Sequence, residues 1–255
     1  VGDGQWFHKA EDEVEQNFNE QLNDFKNELE LSYGVVDKGA VVCNTNIVRN
    51  SWIGAHARIE GASKIRNTIV MSSLEESTHI YDSVILENAN VQCGVKVHTA
   101  AEVRDTVLMA RTKVGSKAIV KSSIIAPCGH IEEAEVNSSY VGPMTQMHHH
   151  SLLIAALWPD GCGNWGYGAN VGSNHTGRMP DQEVMPGQGT FFGLGVNIKF
   201  PANFKEAPFS LIASGVTTLP QRIKFPFSLI RPGDSHLAGI PARLNEIVPG
   251  WNYFR

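Results

Sequence analysis

The sequence predicts an all-β solenoid, a chain wound into stacked parallel coils behind an N-terminal α-helix. Three observations carry this. A five-residue phrase recurs six times between positions 48 and 140, six-residue units fill the gaps between its copies, and the stretch before Val35 follows helical spacing instead. The phrase reads Val48-Arg49-Asn50-Ser51-Trp52, Ile65-Arg66-Asn67-Thr68-Ile69 and Ile80-Tyr81-Asp82-Ser83-Val84. It returns as Val103-Arg104-Asp105-Thr106-Val107, Val120-Lys121-Ser122-Ser123-Ile124 and Val136-Asn137-Ser138-Ser139-Tyr140. Its copies start at Val48, Ile65, Ile80, Val103, Val120 and Val136. That spacing is near-constant, too short for helical repeats and suited to β coils.

The N-terminal segment, residues 1–34, contains an acidic stretch with Val14, Phe18, Leu22, Phe25 and Leu29 at steps of 4, 4, 3 and 4. That is an apolar helical stripe with Asp and Glu on the other face. It reads either as a helix capping an open solenoid edge or as a subunit contact, and Tyr33-Gly34 ends it.

Residues 35–245 form the predicted solenoid. Units such as Ile53–Arg58, Ile59–Lys64, Val91–Lys96 and Val97–Glu102 each open with an aliphatic and place a small residue four positions later. Three such units give a coil of roughly 18 residues with three sides, its aliphatics stacked in a narrow prism. Asn, Asp and Gly accept the backbone geometry of the corners. A β-sandwich of short strands is the alternative, but unrelated strands have no reason to hold one phrase at a near-constant interval. The lone histidines His56, His79, His98 and His130 fall at polar positions of separate coils and read as surface or corner residues. Residues 246–255 are a C-terminal tail with Trp251, Tyr253 and Phe254.

Composition narrows the function classes. A net charge of −5 disfavours nucleic acid as a partner, and no 18-residue apolar run is present to span a membrane. Cys43, Cys93, Cys128 and Cys162 have neither zinc nor redox spacing. Reduced thiols in a cytoplasmic protein are expected. The chain begins at Val1 rather than Met, so a fragment of a longer protein is expected.

The repeat breaks after Met144. Met147-His148-His149-His150, Trp158-Pro159-Asp160-Gly161 and the glycine-rich run from Gly166 to Arg178 crowd a stretch without the phrase. In a rule-following repeat protein, the break is the strongest place to look for function.

These motifs resemble the hexapeptide-repeat superfamily, which contains acyltransferases and the C-terminal halves of sugar-1-phosphate nucleotidylyltransferases. The resemblance spans residues 35–245 and includes the ending Ala238-Gly239-Ile240-Pro241-Ala242-Arg243. It implies a left-handed parallel β-helix and, as the family's usual arrangement, a homotrimer. The second half is similar to the acetyltransferase half of bifunctional N-acetylglucosamine-1-phosphate uridylyltransferase. There a catalytic histidine precedes an I-G-A-G-T coil, followed by an N-Y-D-G loop. The step from His150 to Trp165 matches that interval. Asn174-His175-Thr176-Gly177 fits the loop with one inserted residue.

By this resemblance His150 is a general base and Asn174 an acetyl or acceptor contact. Ala213, Ser214 and Gly215 contact coenzyme A, with Arg178 and Arg243 as phosphate partners. His148, His149 and His175 compete with His150 for the role of base. A histidine suits that step because it titrates near neutrality, and backbone N–H groups of a glycine-rich turn are expected to hold the oxyanion. The implied reaction moves an acetyl or acyl group from coenzyme A to a sugar, sugar phosphate or nucleotide sugar. The competing reading is a non-catalytic assembly or regulatory module of a nucleotidylyltransferase-like protein. A γ-class carbonic anhydrase shares the fold, but its histidine spacing is absent here.

Overall fold

A computed structural model describes residues 13–14, 16–24, 34–172, 184–199, 201–233 and 244–250. The chain divides into two compact units, Val1–Val35 and Val36–Arg255. In the first, residues 13–14 and 16–24 are helical. Val14, Phe18 and Leu22 of the apolar stripe are exposed, while Phe25 and Leu29 lie outside the described residues.

The second unit is a left-handed parallel β-helix of about 11 coils. Strands of two to three residues, with two of five residues at the end of the second sheet, form a first sheet of eight strands, a second of twelve and a third of ten. Three further strands, Val184–Met185, Ala202–Asn203 and Gln221–Arg222, form a short parallel sheet. It carries the first sheet onward through a bridge from Ala156 to Val184. Residues 173–183, between the strands Asn170–Val171 and Val184–Met185, lie outside the description. The last strand, Asn245–Pro249, returns antiparallel along Ser228–Pro232.

Each coil contributes one inward aliphatic per side. Ile53, Ile59 and Ile65 serve one coil and Val91, Val97 and Val103 another, all wholly buried. Burying each such side chain stabilises the fold by about 1.5–3 kcal/mol, which is why the six-residue spacing is readable in the sequence.

The phrase is the corner between the third and first sheets. Asn50, Asn67, Asn88, Asp105, Ser122 and Ser138 all have φ between 47° and 51°, the left-handed region that Asn and Asp tolerate best among side-chain-bearing residues. Their side chains form a ladder: Asn50 donates to Asn67 at 2.9 Å, Asn67 to Asn88 at 3.0 Å and Asn88 to Asp105 at 2.8 Å. The following Ser or Thr turns inward and bonds the carbonyl two residues back, as Thr68 does to Arg66 and Ser123 to Lys121.

The register corrects one copy of the phrase. Ile80-Tyr81-Asp82-Ser83-Val84 is not a third-sheet corner, because His79–Tyr81 pairs within the second sheet. The true copy is Leu86-Glu87-Asn88-Ala89-Asn90, since Leu86 stacks on Ile65 and Val103. The strand Trp52–Ile53 is separated from Arg58–Glu60 by four residues, and the equivalent Ile69–Val70 from His79–Tyr81 by eight. Those four extra residues displace the copy.

From Trp158 onward the prism holds aromatics. Trp158, Trp165 and Phe192 are fully buried and packed ring on ring, with centroids 4.5–6.1 Å apart. Trp158 Nε1 donates to Gly187 O at 2.8 Å. A Cβ at Gly163 would lie 2.2 Å from the Trp158 ring, so only glycine fits beneath it.

Candidate functional site

On the three-residue strands of the second sheet the middle residue points inward and its neighbours outward. Backbone register therefore brings side chains distant in sequence into columns. His98 follows Tyr81. The pair Gly115 and Glu132 continues the column, and His148 follows, one position past the pairing of Ile131 with Met147. His130 stands beside Glu132 on the same strand, Lys113 one coil before it. Sequence reading assigned His98 and His130 no functional role, because they are far apart along the chain and belong to different coils. The coil period is the signal that unites them.

The column is tightly organised. The rings of Tyr81 and His98 stack at 5.2 Å and 12°. His98 Nδ1 lies 3.0 Å from Thr99 Oγ1, and its ring fills the space above Gly115, where a Cβ would meet it at 2.2 Å. Glu132 Oε1 lies 2.9 Å from His130 Nε2 and 3.7 Å from His98 Nε2. The closer contact misses hydrogen-bond alignment, since His130 Nε2 has no hydrogen-bond partner; it is an electrostatic contact. The Glu132 carboxyl is held below its usual range, led by His130, opposed by burial and aided by the charges of His98 and Lys113. The His148 imidazole is also held below its ordinary value, chiefly by burial and then by His149 and His130, with Glu132 acting against them. The face thus sets a half-buried imidazole one coil beyond a carboxylate, and both groups have their pKa lowered.

His149 and His150 occupy the adjoining corner, both exposed and with φ of 59°. His149 Nδ1 pairs with Glu133 Oε2 at 3.4 Å, and His150 sits edge-on to Tyr167 at 6.1 Å. Ser214 and Gly215 lie on the same corner, reached through successive backbone bonds from Gly168 to His149, Gly195 to Tyr167 and Gly215 to Leu194. Three coil steps of roughly 4.8 Å separate them from His149 by about 14 Å, and Ala213 is the half-buried residue just before that corner. Asn174, His175, Arg178 and Arg243 lie outside the described residues.

The expected oxyanion donors are already engaged. The N–H groups of Gly166, Gly168, Gly193, Gly195 and Gly215 donate to carbonyls of neighbouring coils at 2.7–3.0 Å. Among the described residues no group of three His, Cys, Asp or Glu side chains forms a metal site. Cys43, Cys93, Cys128 and Cys162 are all free. No described helix is long and apolar enough to cross a membrane.

Fold and site together define a left-handed β-helix with an imidazole–carboxylate cluster on one outward face. The chain belongs to the family described as "Domain of unknown function (DUF4954)", whose model matches residues 5–246. An uncharacterized protein of Treponema pallidum (strain Nichols) is 28% identical over 198 residues, covering 78% of this chain and 27% of that protein. The chain thus spans about a quarter of the length of the curated relative it matches. A solved structure named "putative acetyltransferase", from Desulfovibrio desulfuricans G20, is 9% identical and covers 78% of this chain and 67% of its own, with a TM-score of 0.24. That score does not establish a shared fold.

Proposed function

We propose that the protein is an acyltransferase of the hexapeptide-repeat type, with the second-sheet face as its proton-transfer site. The observation that carries this reading is the register that sets the half-buried His148 one coil beyond Glu132, whose carboxylate lies against His130 and His98. Burial lowers the His148 pKa and favours the neutral ring. A neutral imidazole accepts a proton at physiological pH, and a nearby carboxylate favours the imidazolium that forms. An acceptor hydroxyl or amine attacks the thioester carbonyl of an acyl-coenzyme A and gives its proton to His148. The C–S bond breaks, and the coenzyme A thiolate regains the proton from the imidazolium. A sugar, sugar phosphate or nucleotide sugar is the acceptor class, following the resemblance.

The exposed His149 and His150 remain alternative bases within this reading, as does His175. Asn174, Arg178, Ala213, Ser214, Gly215 and Arg243 are its proposed ligand contacts. The test is release of free thiol from acetyl-coenzyme A over a panel of amino and hydroxyl sugars, with His148→Ala, His149→Ala, His150→Ala and His175→Ala in parallel. Loss confined to His148→Ala supports the assignment. Loss in another histidine variant moves the base, and no turnover with any acceptor sinks the reaction.

A second reading, an assembly module, is favoured by the first sheet. Its outward column runs Trp52, Ile69, Asn90, Val107, Ile124, Tyr140 and Leu157, without a charge over seven coils. Trp52, Ile69, Ile124 and Leu157 are exposed. Exposed apolar side chains lined up in an uncharged column mark an interface, and the lack of charge matches it to the same face of a second copy. Light scattering should show a homo-oligomer, a trimer if the hexapeptide-repeat resemblance extends to assembly, that Ile69→Glu/Ile124→Glu dissociates. A monomeric parent protein removes this reading.

A further inference from the structure

The second sheet carries cations that no ion pair answers. Register places Arg58, His79, Lys96, Lys113 and His130 in one column on five successive coils, about 4.8 Å apart. Arg58, Lys96 and Lys113 are exposed. None of these three forms an ion pair among the described residues. On the five coils of this column the acids of the second-sheet strands are Glu60 and Glu132. Glu132 is already engaged by His130 and His98, and Glu60 stands in the next column beside Tyr81.

The third sheet shows how this protein treats cations whose role is structural. Lys64, Arg66 and Arg104 all reach Glu87, and Arg104 and Lys121 reach Glu102, each within 3.5 Å. Glu87 stands there between Arg66 and Arg104, and although Arg49 faces Arg66 and Arg104 faces Lys121, Arg66, Arg104 and Lys121 each reach an acid. Like charges directly opposite in a sheet are destabilising; Lys96 and Lys113 face each other directly and, unlike Arg66, Arg104 and Lys121, neither has an acid within ion-pair distance among the described residues. A repeat that can place a glutamate at any coil leaves this column positive. The stacked rings of Tyr81 and His98 flank it, and aromatic rings are what nucleobases stack on.

We propose that this column binds the phosphates of a nucleoside diphosphate group, with Lys96 and Lys113 as the principal contacts and Arg58 and His79 extending the line. The Tyr81–His98 pair is the platform for the base. Coenzyme A and nucleotide sugars both contain such a group, so the shared chemistry is the nucleoside diphosphate. The inference rests on register and charge and holds whether or not acyl transfer occurs.

The test is calorimetric titration of the whole chain at low ionic strength with ADP, UDP, coenzyme A, a UDP-sugar, inorganic pyrophosphate and adenosine. ADP or UDP should bind saturably and adenosine should not. Affinity should fall about tenfold or more in Lys96→Gln/Lys113→Gln, return in Lys96→Arg/Lys113→Arg, and weaken with added salt. Lys121→Gln, a cation of the third sheet, should leave it unchanged. Preference for coenzyme A or for the UDP-sugar identifies the source. Absence of saturable binding at millimolar ligand overturns the proposal, as does affinity unchanged in the double glutamine variant. Stronger binding of a long RNA that nucleotides fail to displace also overturns it, making the column a polyanion surface.

Discussion

Trp158 and Trp165 meet edge to face inside the prism, with ring centroids 4.5 Å apart and planes at 72°. Their polar handles differ. Trp158 Nε1 bonds the Gly187 carbonyl at 2.8 Å, whereas Trp165 Nε1 is buried without a partner. Removing an unsatisfied donor releases its desolvation cost, while removing a bonded one forfeits the bond. Trp165→Phe should therefore be the milder change, and Trp158→Phe should cost about 1 kcal/mol more. Trp165→Ala should cost about 3–5 kcal/mol through the cavity it leaves. Denaturant unfolding of the three variants checks the order, and a Trp165→Phe more damaging than Trp158→Phe contradicts it.

The corner ladder makes a second prediction. Asn67 both donates to Asn88 and accepts from Asn50 while its φ is 48°. Asn67→Ala removes two amide bonds and puts a less tolerant residue in the left-handed region, for a loss of about 1–2 kcal/mol. Asn67→Gly relieves the backbone part and should fall between the parent and the alanine variant. Equal melting temperatures for the alanine and glycine variants would show that the backbone contributes nothing.

Glu87 faces Arg66 on one coil and Arg104 on the next and also holds Lys64 at 2.9 Å. Its carboxyl lies below the usual range, first because Lys64 bonds it and then through the charges of Lys64, Arg104 and Arg66, against burial. Glu87→Gln leaves these cations stacked without an acid between them. The variant should melt below the parent protein in dilute buffer, and salt should narrow the gap because it screens exposed charges. A gap insensitive to salt would point to packing instead.

The site has its own pH signature. The His148 pKa in the folded state lies below its value in the unfolded chain, near 6.5. As pH falls through that value the unfolded chain takes up more protons, so stability declines on acidification. His148→Gln should flatten the decline between about pH 7 and pH 5. Glu132 acts further down: its folded pKa lies below the usual 4.5. Its contribution is therefore full above that value and lost as pH falls through the folded pKa. Glu132→Gln should change the melting temperature at neutral pH and converge with the parent protein in acid. Melting curves across this range test both substitutions.

The coil period, the corner phrase and the helical spacing near the N-terminus were legible because each is a local constraint. An inward aliphatic, a residue tolerant of positive φ and a small turn residue must recur wherever the chain turns. Ile80-Tyr81-Asp82-Ser83-Val84 deceived for the same reason. It satisfies the local chemistry of a corner, and Asp82 and Ser83 do adopt positive φ, but at the corner between the second and third sheets.

The sequence by itself determined a β-solenoid and its core positions; where it suggested a break after Met144, the coils run on in parallel register through residues 146–171. Only the tertiary structure decided what shares a face. Four inserted residues between Val70 and His79 shift every later register assignment, and register alone brings His98, Glu132 and His148 into one column and Lys96 beside Lys113. Side chains a full coil apart in sequence become neighbours because parallel coils stack at one strand spacing. Their pairing energy depends on the backbone hydrogen bonds between coils, which no local pattern of residues encodes.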